Sequence, residues 1–82
     1  MNGSFFGEFV EKVILIINTK IGMNAIFEVK HLRKILNISS KDRSKTIFLA
    51  NALDLLSRKG LILFISKNSP KRYKKIQQIG KI

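Results

Sequence analysis

The chain has 82 residues, which is enough for one small domain and too few for separate substrate and cofactor domains. Its formal charge is +11, because it has 16 lysines and arginines and only 5 acidic residues. A positive charge of this size favours a polyanionic partner. With no cysteine and one histidine, the sequence argues against a disulfide framework and against a metal site, and we expect no cofactor.

The amino terminus has neither the basic segment nor the small-residue cleavage site of a secretory signal. The longest uninterrupted apolar run covers five residues, 13–17, whereas a bilayer span needs about 20. We therefore predict a cytoplasmic protein that does not associate with membranes.

Apolar residues recur at helical spacing over 4–18, which predicts a first helix with Ser4 as its N-cap. The polar stripe of this helix is narrow, so apolar side chains cover more than half of its circumference. We expect part of that surface to pack in a homodimer or on another protein. The alternative is a helix buried from both sides, between helix three and a β-hairpin. The candidate interface residues are Phe5, Phe6, Phe9, Val13 and Ile16.

A short extended piece near 25–27 precedes a second helix, which ends near Asn37. A third helix begins near Ser40 or Asp42 and ends at Gly60, because glycine suits the left-handed position after a helix. Helical spacing assigns ten residues of these two helices to the core: Val29, Leu32, Ile35 and Leu36 in helix two, and Phe48, Leu49, Ala52, Leu53, Leu55 and Leu56 in helix three.

The carboxyl-terminal part predicts a β-hairpin. Leu61–Ile65 is rich in β-forming residues, 67–70 has turn chemistry, and 72–79 can return as a second strand. Residues 1–29 have a net charge of −1, whereas 30–82 hold 14 basic residues against Asp42 and Asp54, a net charge of +12. The cationic surface is therefore expected from helices two and three and the hairpin.

This order of elements, with Leu36-Asn37-Ile38-Ser39 between helices two and three and Gly60-Leu61-Ile62 after helix three, resembles the winged helix-turn-helix family over about 26–76. The resemblance implies an α+β fold with three helices and a two-stranded hairpin, the wing. The implied single domain spans 1–82, with helix one at 4–18, the helix-turn-helix at 28–59 and the wing at 61–79. The interval from Ser39 to Gly60 is several residues longer than is usual in the family, so either the turn is a longer loop or helix three gains an N-terminal turn.

In that family, helix three enters the major groove of DNA and the wing contacts the backbone or the minor groove. We therefore expect a double-stranded DNA-binding protein, sequence-tolerant or modestly specific, that serves as a transcriptional regulator or DNA accessory factor. The composition, rich in isoleucine and lysine, resembles that of archaea and their viruses. The alternative is a winged-helix adaptor subunit of a larger nucleic-acid machine, such as a polymerase or the ribosome, with RNA as a possible ligand. No nucleophilic side chain is followed or preceded by a basic partner at a spacing typical of a catalytic motif, so we do not expect an enzyme.

Arg43 and Asn51 are suited to read base edges, whereas Asp54 on the same face indicates that the later part of helix three turns away from phosphates. The hairpin lysines are expected to follow a phosphate backbone; their alternative role is to protect an exposed strand edge from pairing. Tyr73 either stacks on a base or, as we favour, packs on the core. The candidate nucleic-acid contacts are Lys41, Arg43, Ser44, Lys45, Asn51, Lys67, Lys71, Arg72, Lys74 and Lys75, with possible backbone contacts from Lys30, Arg33 and Lys34.

Overall fold

The computed structural model describes residues 2–66 and 71–80, with side chains from residue 6 onward. Within these residues the fold is α+β, with three helices and a small antiparallel sheet of three strands. The elements in chain order are α1 (Asn2–Lys20), β1 (Ile26–Glu28), α2 (Val29–Ile35), α3 (Arg43–Arg58), β2 (Leu63–Ser66) and β3 (Arg72–Lys74). The first helix is longer at both ends than the predicted 4–18, so Ser4 lies inside it and is not its N-cap.

Helix α3 begins and ends where the sequence predicts. The Asp42 side chain accepts a hydrogen bond of 3.1 Å from the Lys45 N–H, which satisfies one of the free donors of the first turn. At the other end Gly60 has φ +75°, and its N–H donates to the carbonyl of Ser57 at 3.0 Å. The carboxyl end of α3 is therefore closed sharply before the chain enters the sheet.

Helix α2 ends by the same geometry, with Asn37 at φ +60° in place of a glycine. The N–H of Ile38 donates to the carbonyl of Arg33 at 2.9 Å, which closes the last turn. Residues 36–42 then connect α2 to α3. Because α3 begins at Arg43, residues 38–42 lie in this connection and not in the helix.

The sheet has the order β1-β3-β2, with β3 antiparallel to both neighbours. Tyr73 lies opposite Phe27 on one side and Phe64 on the other, with ring centroids 5.9 and 5.4 Å apart. Three aromatic rings therefore form one row across the sheet, in which Phe27 and Tyr73 belong to the core and Phe64 is partly exposed. The predicted second strand over 72–79 is too long, because β3 ends at Lys74 and the chain then leaves the sheet to pack against the end of α1.

The core lies between the three helices and the inner face of the sheet. Its fully buried residues come from every layer: Val13 and Ile17 of α1, Phe27 of β1, Leu32 of α2, Leu49, Ala52, Leu53 and Leu56 of α3, Ile62 before β2 and Tyr73 of β3.

Two predicted core positions are wrong. Ile35 is 43% exposed because α2 ends at that residue, and Phe48 is 39% exposed because it lies at the edge of the apolar stripe of α3. None of the described helices is long and apolar enough to span a bilayer.

Candidate nucleic-acid interface

Helix α3 has a continuous exposed face opposite its buried side. The buried side is formed by Leu49, Ala52, Leu53 and Leu56, which pack towards α1 and α2. The opposite side, which we name the α3 face, is exposed except at Asp54, which is half-buried. It matches the face predicted from helical spacing and consists of Arg43, Ser44, Ile47, Asn51, Asp54 and Arg58.

Three cations cluster where the chain enters α3. Lys41 and Lys45 are exposed, as is Arg43 at the first helical position. Lys45 Nζ lies 3.8 Å from Asp42 Oδ2, an exposed pair that holds the lysine only weakly. This end of α3 therefore combines positive side chains with the partial positive charge of a helix N-terminus.

Strand β3 joins the α3 face at Asp54. Tyr73 Oη donates a hydrogen bond of 3.1 Å to Asp54 Oδ1, and Lys71 Nζ lies 3.8 Å from Asp54 Oδ2. Burial raises the pKa of the Tyr73 hydroxyl, and the adjacent Asp54 charge and hydrogen bond raise it further. Tyr73 is fully buried, so its ring packs on the core as the sequence favoured and does not serve as a stacking platform.

The contacts of Lys71 and Tyr73 with Asp54 are not predicted from the sequence. In the sequence analysis Asp54 is only a negative charge that repels phosphate, whereas in the structure it has a lysine partner and a hydroxyl donor. The partners are 17 and 19 residues away along the chain, and no local pattern predicts a pair at that separation. The acid fixes β3 against α3 and brings a cation to the α3 face.

Arg72 and Lys74 lie on the other face of the sheet from Tyr73, because side chains alternate along a strand. Arg72 Nε is 3.3 Å from Glu28 Oε2 of β1, and Lys30 Nζ is 3.6 Å from Glu28 Oε1. Lys74 is half-buried between Ile26 and Leu63 of the two outer strands. The predicted hairpin cations are therefore divided between two faces of the sheet. Among those within the described residues, Lys71 lies beside the α3 face.

Lys75 does not belong to a binding surface, contrary to the prediction. It is 3% exposed, and its ammonium donates hydrogen bonds of 3.2 and 2.8 Å to the backbone carbonyls of Asn18 and Ile21. Carbonyls at a helix carboxyl end lack partners within the helix and attract cations. Lys75 therefore stabilises the end of α1 and is not accessible to a phosphate.

The cations of α2 lie at the surface. Lys30 and Lys34 are exposed and Arg33 is half-buried, which leaves all three as candidate backbone contacts. His31 is exposed, and its Nδ1 accepts a hydrogen bond of 3.0 Å from the Glu28 N–H at the start of the helix. The histidine therefore has a structural role at the N-terminus of α2.

The predicted interface on helix one is partly wrong. Val13 is fully buried and Ile16 is 9% exposed, so both belong to the core of this chain. Phe6 and Phe9 are half-buried and pack edge-on against Phe48 of α3, with centroid distances of 5.7 and 6.0 Å. They retain some accessible ring surface and stay candidates for a partner contact. The side chain of Phe5 lies outside the described residues.

Lys67 and the predicted turn at 67–70 also lie outside the described residues. Within residues 2–66 and 71–80, no three histidine or carboxylate side chains are grouped closely enough to hold a metal ion. The arrangement offers surface cations, amides and hydroxyls for binding. No family model, no curated protein and no solved structure matches this chain.

Proposed function

We propose that this protein binds double-stranded DNA through a winged helix-turn-helix. In this proposal α2 and α3 form the helix-turn-helix, the connection 36–42 is its turn, and strands β2 and β3 form the wing. The α3 face enters the major groove, and the wing lies along the adjacent backbone.

The observation that carries the proposal is the contact of β3 with the α3 face. Because Lys71 and Tyr73 both meet Asp54, the wing and the exposed side of α3 form one surface. Lys71 brings a cation beside the Asp54 carboxylate, which reduces the repulsion between that acid and a phosphate.

The charge and shape of this surface suit duplex DNA. The entrance of α3 carries Lys41, Arg43 and Lys45, and its far end carries the exposed Arg58. A 16-residue helix is about 24 Å long, and the major groove, about 12 Å wide, admits a helix along its axis. Cations at both ends of α3 are therefore placed to contact the two phosphate backbones that border the groove, which fixes position without reading sequence.

The test compares two double variants with the same net charge. Arg43→Gln with Lys71→Gln removes two cations of the proposed surface, and Lys12→Gln with Lys20→Gln removes two exposed cations of α1. Affinity for a fluorescein-labelled 20-base-pair duplex is measured by anisotropy between 50 and 200 mM salt. We expect the first variant to lose affinity at least tenfold at low salt, with a log–log salt slope shallower by about 2, since about one counterion is released per phosphate contact.

The α1 variant should bind the duplex within about twofold of the unchanged protein, because neither Lys12 nor Lys20 belongs to the α3 face. Equal losses in the two variants would show that binding follows net charge and not this surface. Failure of the unchanged protein to bind duplex DNA at 50 mM salt would contradict the proposal itself.

A second candidate function is an adaptor subunit in a nucleic-acid machine, and the outer face of the sheet favours it. Ile26 and Leu63 are 55% and 47% exposed on either side of Lys74. Adjacent exposed apolar side chains are typical of protein contact surfaces. Under this alternative, Ile26→Ser with Leu63→Ser abolishes fixed-stoichiometry co-purification with the partner complex and leaves duplex affinity unchanged; a protein that purifies free of partners argues against it.

A further inference from the structure

An apolar side chain lies in the middle of the α3 face, where the core does not account for it. Ile47 is 58% exposed, on the side of α3 opposite the buried rows. Arg43 is one turn before it and Asn51 one turn after it, both exposed. The next residue, Phe48, is also partly exposed, but its ring packs against Phe6 and Phe9.

A single exposed isoleucine is ordinary on a protein surface, so position is what makes this one informative. Side chains at i and i+4 on a helix lie one above the other. Arg43, Ile47 and Asn51 therefore form a row about 12 Å long on the surface that faces the groove. A hydrogen-bonding side chain precedes the apolar residue and another follows it.

The major groove has one apolar group with which such a residue can pack. Guanine, cytosine and adenine present donors and acceptors there, whereas thymine also presents its 5-methyl group. Arginine pairs with guanine edges and asparagine with adenine edges, and a side chain between them meets the intervening base. An isoleucine at that position offers no hydrogen bond and gains free energy only by covering apolar surface.

We propose that Ile47 contacts the 5-methyl group of thymine and makes the protein prefer thymine at the base pair beneath the middle of α3. This inference rests on the proposed function, since it requires the α3 face to lie in the major groove. It gives the ligand a chemical class, duplex DNA with thymine in the contacted step, and it assigns the preference to one side chain.

The test removes the methyl group from the DNA and the isoleucine from the protein. Two duplexes of the same A·T-rich sequence are prepared, one with thymine and one with deoxyuridine at every thymine position, which keeps base pairing intact. Anisotropy at fixed salt gives the ratio of the two affinities. We expect the unchanged protein to bind the thymine duplex about fourfold more tightly per contacted methyl, the ratio that corresponds to burying about one methyl group.

Ile47→Ala should bring this ratio close to one, and Ile47→Val, which keeps a branched contact, should retain part of it. The matched control is Leu15→Ala, because Leu15 is 61% exposed on α1, away from the α3 face, and its variant should keep the full ratio. These comparisons also separate the side-chain contact from any effect of the methyl groups on DNA shape. Both isoleucine variants change an exposed residue, and thermal melting by circular dichroism should show an unchanged midpoint.

Equal affinity of the unchanged protein for the two duplexes would overturn the inference and leave the proposed function standing. The same holds if Ile47→Ala keeps the fourfold ratio, since the methyl preference would then come from elsewhere. If neither duplex is bound at low salt, the proposed function and this inference fail together.

Discussion

The carboxyl-terminal arm has two parts that look alike in sequence and behave differently in the fold. The first part, residues 71–74, consists of β3 and the residue before it. In this part Lys71 is exposed beside Asp54 of α3. Residues 75–80 leave the sheet, and Lys75 is buried at the end of α1. The first part belongs to the proposed binding surface, and the second part holds the fold together.

The difference arises from what each lysine meets. Lys71 and Lys75 flank β3 two residues before and two residues after Tyr73, so alternation along the extended chain directs all three side chains to the same side. Lys71 extends past the edge of the core to a half-buried carboxylate, whereas Lys75 reaches the carbonyls of Asn18 and Ile21, which the helix leaves unpaired. A count of cations therefore overstates the charge available to a ligand.

The largest expected effect separates the two lysines by stability. Lys75→Met removes two charge-assisted hydrogen bonds and leaves part-buried carbonyls without this partner, so the free energy of unfolding should fall by about 2–3 kcal/mol. Lys71→Met removes an exposed ion pair and should cost less than about 0.5 kcal/mol. Urea denaturation followed by circular dichroism measures both. Equal losses would show that the two parts of the arm do not differ as described.

A smaller effect tests how the second part of the arm is held. The Asn18 side-chain amide donates to the Ile79 carbonyl and accepts from the Ile79 N–H, both at 2.9 Å. Asn18→Ala should reduce the free energy of unfolding by about 1–2 kcal/mol. Hydrogen exchange at the Ile79 amide should accelerate in this variant, while the amides of β3 exchange as before. Unchanged exchange at Ile79 would contradict the assigned contact.

The smallest expected effect concerns the boundary between the two parts, Tyr73. Because folding raises its pKa above the unfolded value of about 10, the unfolded chain loses this proton first, and stability falls as pH rises past about 10. Tyr73→Phe should cost about 1 kcal/mol at pH 7 and lose less stability on going above pH 10.

Tyr73 is the chain's single tyrosine and there is no tryptophan, so absorbance at 295 nm follows its ionisation directly. The native protein should titrate above pH 10, and Asp54→Asn, which removes the adjacent charge, should titrate at lower pH than the unchanged protein. A native titration at or below pH 10 would contradict the buried hydrogen bond.

Local patterns in the sequence predict much of the helical part of the fold. The end of α3 at Gly60 and the cap at Asp42 follow from the few neighbouring residues that close a helix. The α3 face follows in the same way, because helical periodicity separates Asn51 from Leu53 without knowledge of the rest of the chain.

The features that the sequence analysis does not predict depend on contacts between residues far apart along the chain. The burial of Lys75 depends on contacts at the end of α1, since the carbonyls of Ile21 and Asn18 are 54 and 57 residues away along the chain. The Lys71–Asp54 contact depends on how the sheet packs against α3, and the burial of Val13 depends on how α1 packs against α3. Composition marks these residues only as cationic or apolar, so their roles cannot be predicted until the elements are assembled.

The salt dependence of duplex binding tests the central claim most directly. If the start of α3, the α3 face and the wing together place about five cations on phosphates, a plot of log affinity against log salt for the unchanged protein should be linear with a slope near −4 to −5. A slope near zero, or no affinity for duplex DNA at low salt, would contradict the account.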